Sequence, residues 1–316
     1  MSEDLTLEAL RQGGKPALAR ALARLERSPE SPEVLALLAA AEAAPRGQTI
    51  GLTGPPGVGK STLTGALIAA YRAAGRTVGV IAVDPSSKRS GGALLGDRVR
   101  LAAGPGDAGL CIRSMAARDR LGGLADQTVA AMVLMRALFD LVLIETVGVG
   151  QSETDVAGVA DTVVFCVQPG SGDSLQFMKA GIVEIPHLAV VTKADTGAPA
   201  RRALSDLRGA LGLSEAEEGW RVEALAVSAE ARGGIAELVA ALDRHFAWLR
   251  ETGRLAPRRR AQAQGWLAES LRERFGSAGL KAAGDLTLAE GESPFARLAE
   301  RGAALRARLG AEQGAH

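Results

Sequence analysis

Cysteine and histidine are scarce in this chain. Two cysteines, Cys111 and Cys166, and three scattered histidines, His187, His245 and His316, form no CxxC pair and argue against a metal site built from cysteine and histidine. Both cysteines lie in apolar, strand-like runs, so buried thiols in a reducing compartment are expected. An excess of charge is also missing. The 37 Lys and Arg residues against 36 Asp and Glu give a formal net charge of +1, so nothing global attracts nucleic acid or an anionic membrane. No apolar run approaches the ~20 residues that a spanning helix needs. The start, Met1-Ser2-Glu3-Asp4, lacks the basic and apolar stretches of a secretory leader. These absences predict a cytoplasmic protein with no membrane or nucleic-acid partner.

What is present is a large core. A chain of 316 residues that is 47% hydrophobic suffices for one large domain with appendages, or for two domains. Residues 1–46 read as a helical extension, with Leu18, Leu22 and Leu25 on one face. Ser31-Pro32 has the form of a cap and first position of a helix continuing through Val34, Leu37 and Leu38. Residues 47–255 alternate strands with helices. The apolar runs are Thr49–Thr53, Thr77–Val83, Leu141–Glu145, Thr162–Val167, Leu188–Thr192 and Val222–Val227. Valine and isoleucine without polar alternation mark strands buried on both faces, so the fold class is α/β with a doubly wound, mostly parallel sheet. Such sheets bind nucleotides at the carboxyl ends of their strands. Residues 256–316 read as a C-terminal helical extension with apolar repeats at Leu267, Leu271 and Phe275 and at Leu298, Leu305 and Leu309. Those helices either form a dimer interface or dock on the α/β domain. The triplet Arg258-Arg259-Arg260 reads as a solvated helix start rather than a nucleic-acid patch.

Four motifs stand at strand ends. The first, Gly54-Pro55-Pro56-Gly57-Val58-Gly59-Lys60-Ser61, satisfies G-x-x-x-x-G-K-[ST] between a strand and a helix that continues with Thr62. Its backbone amides suit phosphates at a helix N-terminus, Lys60 suits the β- and γ-phosphates, and the Ser61 hydroxyl suits magnesium. The second is Asp84, a carboxylate closing the Thr77–Val83 run, placed for magnesium or its water shell, or else simply opening a turn before Pro85. The third is Glu145, which ends a buried strand three residues before Gly148. This spacing suits a magnesium-side acid followed by a glycine N–H that senses the γ-phosphate and orders the next loop. The fourth is Thr192-Lys193-Ala194-Asp195. In a [NT]-K-x-D pattern the aspartate accepts bonds from the guanine N1–H and 2-amino group. Adenine leaves that carboxylate unpaired, a mismatch that costs about 10⁴-fold in comparable sites. The Lys193 stem can lie along the base, and Ser228-Ala229 suits the loop that closes over the guanine oxygen. Together the four motifs point to a guanosine triphosphatase. Arg113 and Arg118, in a loop after the Leu110–Ile112 run, are candidate sources of positive charge.

The segments Val83–Ser87, Gly91–Asp97, Glu145–Glu153 and Gly181-Ile182 resemble the MeaB/ArgK/methylmalonic aciduria type A family of metallochaperone-like GTPases. The resemblance spans about residues 10–275, is densest through 50–195, and is weakest after Gly276. It implies GTP and GDP as substrate and product, magnesium held by Ser61, Asp84, Asp97 and Glu145, and a homodimer. It also implies a partner, an adenosylcobalamin-dependent acyl-CoA mutase such as methylmalonyl-CoA mutase, whose cofactor loading the GTPase gates. Within the loop that opens at Gln168, it assigns the partner contact to Asp173, Gln176 and Lys179. Thr192 stands where the family usually has asparagine. Two alternatives stay open: a nickel-type metallochaperone GTPase, and a kinase of a transport protein.

Overall fold

The computed structural model describes residues 5–85, 106–117, 126–146, 156–170, 186–211 and 219–313. Its centre is a seven-stranded sheet: β1 (Gln48–Thr53), β2 (Val78–Pro85), β3 (Leu110–Ala117), β4 (Leu141–Glu145), β5 (Thr162–Val167), β6 (Leu188–Val191) and β7 (Glu223–Ala226). Every ladder is parallel, in the order β3-β2-β4-β1-β5-β6-β7. β1 and β5 are buried at every position, and β4 at all but Glu145, as their valine and isoleucine content requires. The six apolar runs read from the sequence all became strands, with ends shifted by a residue or two.

The seventh strand corrects one expectation. Arg113 is not in a loop; it lies within β3, opposite Ile81 of β2. Arg113 and Ser114 interrupt the apolar run, which an edge strand tolerates because it is only half covered. Of its first six residues only Leu110 and Met115 are buried. Arg118 lies outside the described residues.

The chain groups into two units. One comprises residues 47–125 and 139–255 and holds the sheet; the other comprises 1–46, 126–138 and 256–316. In the sheet unit, α3 (Lys60–Ala73) and α6 (Ile235–Glu251) cover one face. Leu63, Leu67, Ile68, Leu238 and Leu242 pack there on Ile50, Leu52, Val80, Leu143, Val164 and Val190. On the other face α5 (Ala198–Leu211) sets Ala200 and Leu207 against Phe165, Val167, Ala189 and Val191. A half-buried polar tie links the end of α3 and the start of β1 to α6: Asp243 receives Arg76 at 2.8 Å and Gln48 at 3.2 Å, and Arg76 lies over the Tyr71 ring. Burial, with Asp243 close by, pushes the Tyr71 phenol well above its usual range.

The second unit is helical. It holds α1 (Leu7–Arg27), α2 (Pro32–Ala43), α4 (Asp126–Leu138), α7 (Leu255–Ala282, but for its first residue) and α8 (Pro294–Gln313). Leu18, Leu22 and Leu25 are buried as the spacing predicts. Asp126, at the start of α4, receives Trp266 at 3.1 Å, Ser270 at 2.7 Å and Arg274 at 3.0 Å. Among the described residues no helix is long and apolar enough to cross a membrane.

Leu67 is fully buried between α3 and the sheet. Leu67→Ala should lower unfolding stability by about 2–5 kcal/mol, from lost transfer energy plus the cavity left behind. Urea denaturation followed by circular dichroism measures this; a change below about 1 kcal/mol would mean that α3 is not seated as described.

Candidate functional site

The carboxyl end of β1 opens directly into the Gly54–Ser61 loop, and α3 begins at Lys60. Gly54 has φ 135°, and a Cβ there would meet the Cys166 carbonyl oxygen at 2.2 Å. Only glycine lets the loop pass this close to β5. Gly59 caps α3 in the left-handed conformation, φ 97°, and no side chain caps the helix. This is the arrangement in which first-turn amides serve an anion. The Lys60 ammonium lies inside the loop, donating to the carbonyl oxygens of Gly54 at 2.7 Å and Pro55 at 3.1 Å. Val58 is buried and anchors the loop, whereas Pro56, Gly57 and Thr62 are exposed. Burial pushes the Cys166 thiol up to about 12, so it stays protonated and chemically silent beneath the loop. Cys111, expected to be buried as well, is only half-buried, because it sits on the edge strand β3.

The parallel register sets Leu52 of β1 beside Glu145 of β4. That brings the Glu145 carboxylate to the first turn of α3. The Ser61 hydroxyl donates to Glu145 Oε1. The Thr64 hydroxyl, fully buried, is shared between Glu145 Oε2 at 3.1 Å and the Lys60 carbonyl at 2.9 Å. A serine hydroxyl and a carboxylate at a helix N-terminus are hard oxygen donors, the set that suits magnesium when phosphates and water complete the shell. Among the described residues no group of three His, Cys, Asp or Glu could hold a metal by itself. The Ser61 hydroxyl and the Glu145 carboxylate fit a cation whose remaining ligands include phosphate and water oxygens.

On the other side of β1 stands the second half of the site. Thr192 follows β6 and is buried; its hydroxyl contacts the carbonyl oxygens of Val58 at 2.6 Å and Val167 at 3.0 Å. Lys193 has φ 53°, a left-handed conformation that is costly for a non-glycine residue. Its ammonium donates to Gln168 Oε1 at 2.6 Å and to the Gly57 carbonyl at 3.2 Å. Asp195 is exposed, and the Ser228 hydroxyl donates to its Oδ1 at 2.6 Å. That bond, with a backbone N–H, holds the Asp195 carboxyl below its usual range, so it is ionised at neutral pH. Ser228 follows β7, is buried, and also accepts from the Ala231 N–H at 3.2 Å; Ala229 is half-buried beside it.

The structure thus gathers Gly54 to Thr62, Glu145, Thr192, Lys193, Asp195, Ser228 and Ala229 around the carboxyl ends of β1, β4, β6 and β7. Asp84 lies on β2 opposite Ala116, but its side chain is not among those described. Asp97, Gly148, Asp173, Gln176 and Lys179 lie outside the described residues. Two contacts escaped the sequence reading. Thr64 carries a signal, since it follows Ser61 by three residues on one helical face. Gln168 is the first polar residue after a wholly buried strand, the same kind of position as Thr192.

Comparison with known proteins agrees with this geometry. The family model described as "Methylmalonyl Co-A mutase-associated GTPase MeaB" matches residues 18–283. The chain is 34% identical to the GTPase ArgK of Escherichia coli strain K12 over 275 residues, covering 85% of this chain and 83% of that one. It is 39% identical over 228 residues to the mitochondrial methylmalonic aciduria type A homolog of Mus musculus, covering 71% of this chain and 55% of the mouse protein. The crystal structure of a LAO/AO transport system kinase matches with a TM-score of 0.69 and 28% identity, covering 95% of this chain and 96% of that one.

Ser228→Ala removes the main bond that depresses Asp195. The Asp195 carboxyl should then titrate at higher pH, toward the ordinary aspartate value of about 3.9. A carboxyl NMR titration of the nucleotide-free protein checks this. An unchanged or lowered midpoint would show that the hydroxyl does not govern the charge.

Proposed function

The chain belongs to the family of methylmalonyl-CoA mutase-associated GTPases, and on that premise we propose that this GTPase acts as a chaperone for an adenosylcobalamin-dependent acyl-CoA mutase. In this reading GTP hydrolysis gates loading of the mutase cofactor and protects the mutase from inactivation. The observation that carries the reading is the family match across residues 18–283, whose description names the mutase. The relation to a methylmalonic aciduria type A homolog points the same way.

The site residues divide the chemistry. Lys60 and the loop amides hold the triphosphate and offset charge that develops on the γ-phosphate. Ser61, Asp84, Asp97 and Glu145 would hold magnesium, Asp84 directly or through the ion's water shell. Magnesium held there would supply positive charge against the charge that develops on the phosphates. Gly148 reports the γ-phosphate. Asp195, ionised and aimed by Ser228, accepts from the guanine N1–H and 2-amino group. Thr192, Lys193, Ser228 and Ala229 complete the base pocket. No histidine stands in these motifs as a general base. Catalysis then rests on positioning and electrostatics, and intrinsic turnover is slow until the partner completes the site. Residues 47–255 form the GTPase domain, and the helical segments 1–46 and 256–316 are extensions, the latter suited to homodimerisation. Asp173, Gln176 and Lys179 are assigned to the partner contact, and the protein to the cytoplasm.

The likeness to a protein named as a transport system kinase favours one rival, a kinase of a transport protein. A single experiment separates the two. The purified protein is mixed with an adenosylcobalamin-dependent methylmalonyl-CoA mutase and γ-labelled GTP, with Lys60→Ala as the hydrolysis-dead control. The proposal expects co-purification, a several-fold rise in free phosphate release, and no label on protein. Label transferred to a second protein, or turnover and elution unaffected by the mutase, would overturn it.

A further inference from the structure

Lys193 poses a problem that the phosphate and guanine motifs do not solve. Its backbone sits in the left-handed region at φ 53° and ψ 41°, and its side chain is exposed. A long, exposed lysine stem has several rotamers and keeps none without an anchor. Yet the stem must lie flat for a purine ring to stack on it. Backbone bonds fix the residue itself: Thr192 N–H donates to Val167 O at 2.8 Å, and Ala194 N–H donates to Val227 O at 3.0 Å. The far end is fixed separately. Among the described residues its ammonium meets two acceptors, the Gly57 carbonyl at 3.2 Å and the Gln168 side-chain oxygen at 2.6 Å.

We propose that Gln168 is a positioning residue of the base pocket: its side-chain oxygen tethers the Lys193 ammonium, so that the lysine stem forms a preformed platform for the purine. This rests on the reading of Thr192, Lys193 and Asp195 as the base site. The topology explains the placement. β5 and β6 are parallel neighbours with Val167 opposite Val191, so Gln168 and Thr192 are the first residues beyond the ladder. The ammonium therefore bridges the phosphate loop and the end of β5, drawn toward both by charge-assisted bonds. Of the two acceptors Gln168 makes the shorter bond and is the only side chain. Gln168 also opens the connection from β5 to β6, so the base platform and the start of that connection share one residue.

The mode of action makes a distinctive demand. Asp195 distinguishes bases by hydrogen bonding, whereas the Lys193 platform touches only a ring face. Loss of the tether should therefore weaken guanine and hypoxanthine nucleotides by one common factor. Titration calorimetry with GTP, GDP and ITP on wild type, Gln168→Ala and Gln168→Glu tests this, with thermal melting of each protein free of nucleotide. The tether is solvent-exposed, so Gln168→Ala should bind all three nucleotides roughly fivefold more weakly. The GTP-to-ITP ratio and the melting temperature should stay at the wild-type value. Gln168→Glu keeps an acceptor for the ammonium and should restore affinity. The proposal is overturned if Gln168→Ala binds GTP as wild type does, if its GTP-to-ITP ratio shifts, if the apo protein melts lower in proportion, or if Gln168→Glu is no better than Gln168→Ala. A parallel titration of wild type with ATP separates the two failures: no preference for GTP over ATP would instead sink the base-site reading itself.

Discussion

The parallel register between β1 and β4 is the constraint on which the phosphate side rests. With Leu52 beside Glu145, a carboxylate arrives at the first turn of α3, where Ser61 and Thr64 engage both of its oxygens. A slip of one residue would turn Glu145 to the opposite face of the sheet. The register is enforced by burial: Ile50, Leu52, Leu141 and Leu143 all face the α3 and α6 side and are essentially inaccessible to solvent. The hydrophobic core and the placement of the Glu145 carboxylate against α3 are therefore consequences of one strand pairing.

A second set of bonds ties the base side to the phosphate side. The Thr192 hydroxyl meets Val58 O and the Lys193 ammonium meets Gly57 O, consecutive carbonyls of the phosphate loop. The Cys166 carbonyl approaches the same loop at Gly54 so closely that no side chain fits. Strands β5 and β6 thus brace the loop from one side while β4 supplies the acid from the other. A loop held on both sides spends less entropy when it closes around phosphates. Thr192 makes its part of this link through its hydroxyl.

Much of this was legible in the sequence because the signals are local. The phosphate loop demands glycines at fixed offsets, and buried parallel strands show as unbroken valine and isoleucine runs such as Thr162–Val167. β3 was less legible because an edge strand tolerates Arg113 and Ser114. Thr64 and Gln168 were missed because their partners, Glu145 and Lys193, are distant in sequence and meet them only once strand order is known. His187 and His245 look scattered along the chain, yet their rings lie 4.4 Å apart beside Trp220. The grouping of Asp126–Leu138 with the terminal helices has no local signature either, since it depends on contacts such as those of Asp126 with Trp266 and Ser270.

The central claim is that an ionised Asp195, aimed by Ser228, reads the hydrogen-bonding edge of guanine. Asp195→Asn exchanges one acceptor for an amide donor, which no longer matches the guanine 2-amino group but does match the 2-oxo group of xanthine. Calorimetric titration of wild type and Asp195→Asn with GTP and XTP is the most direct measurement. The account predicts that wild type prefers GTP, that the variant loses most of its GTP affinity, and that the variant prefers XTP. If Asp195→Asn binds GTP as tightly as wild type, the base is read elsewhere and the account fails.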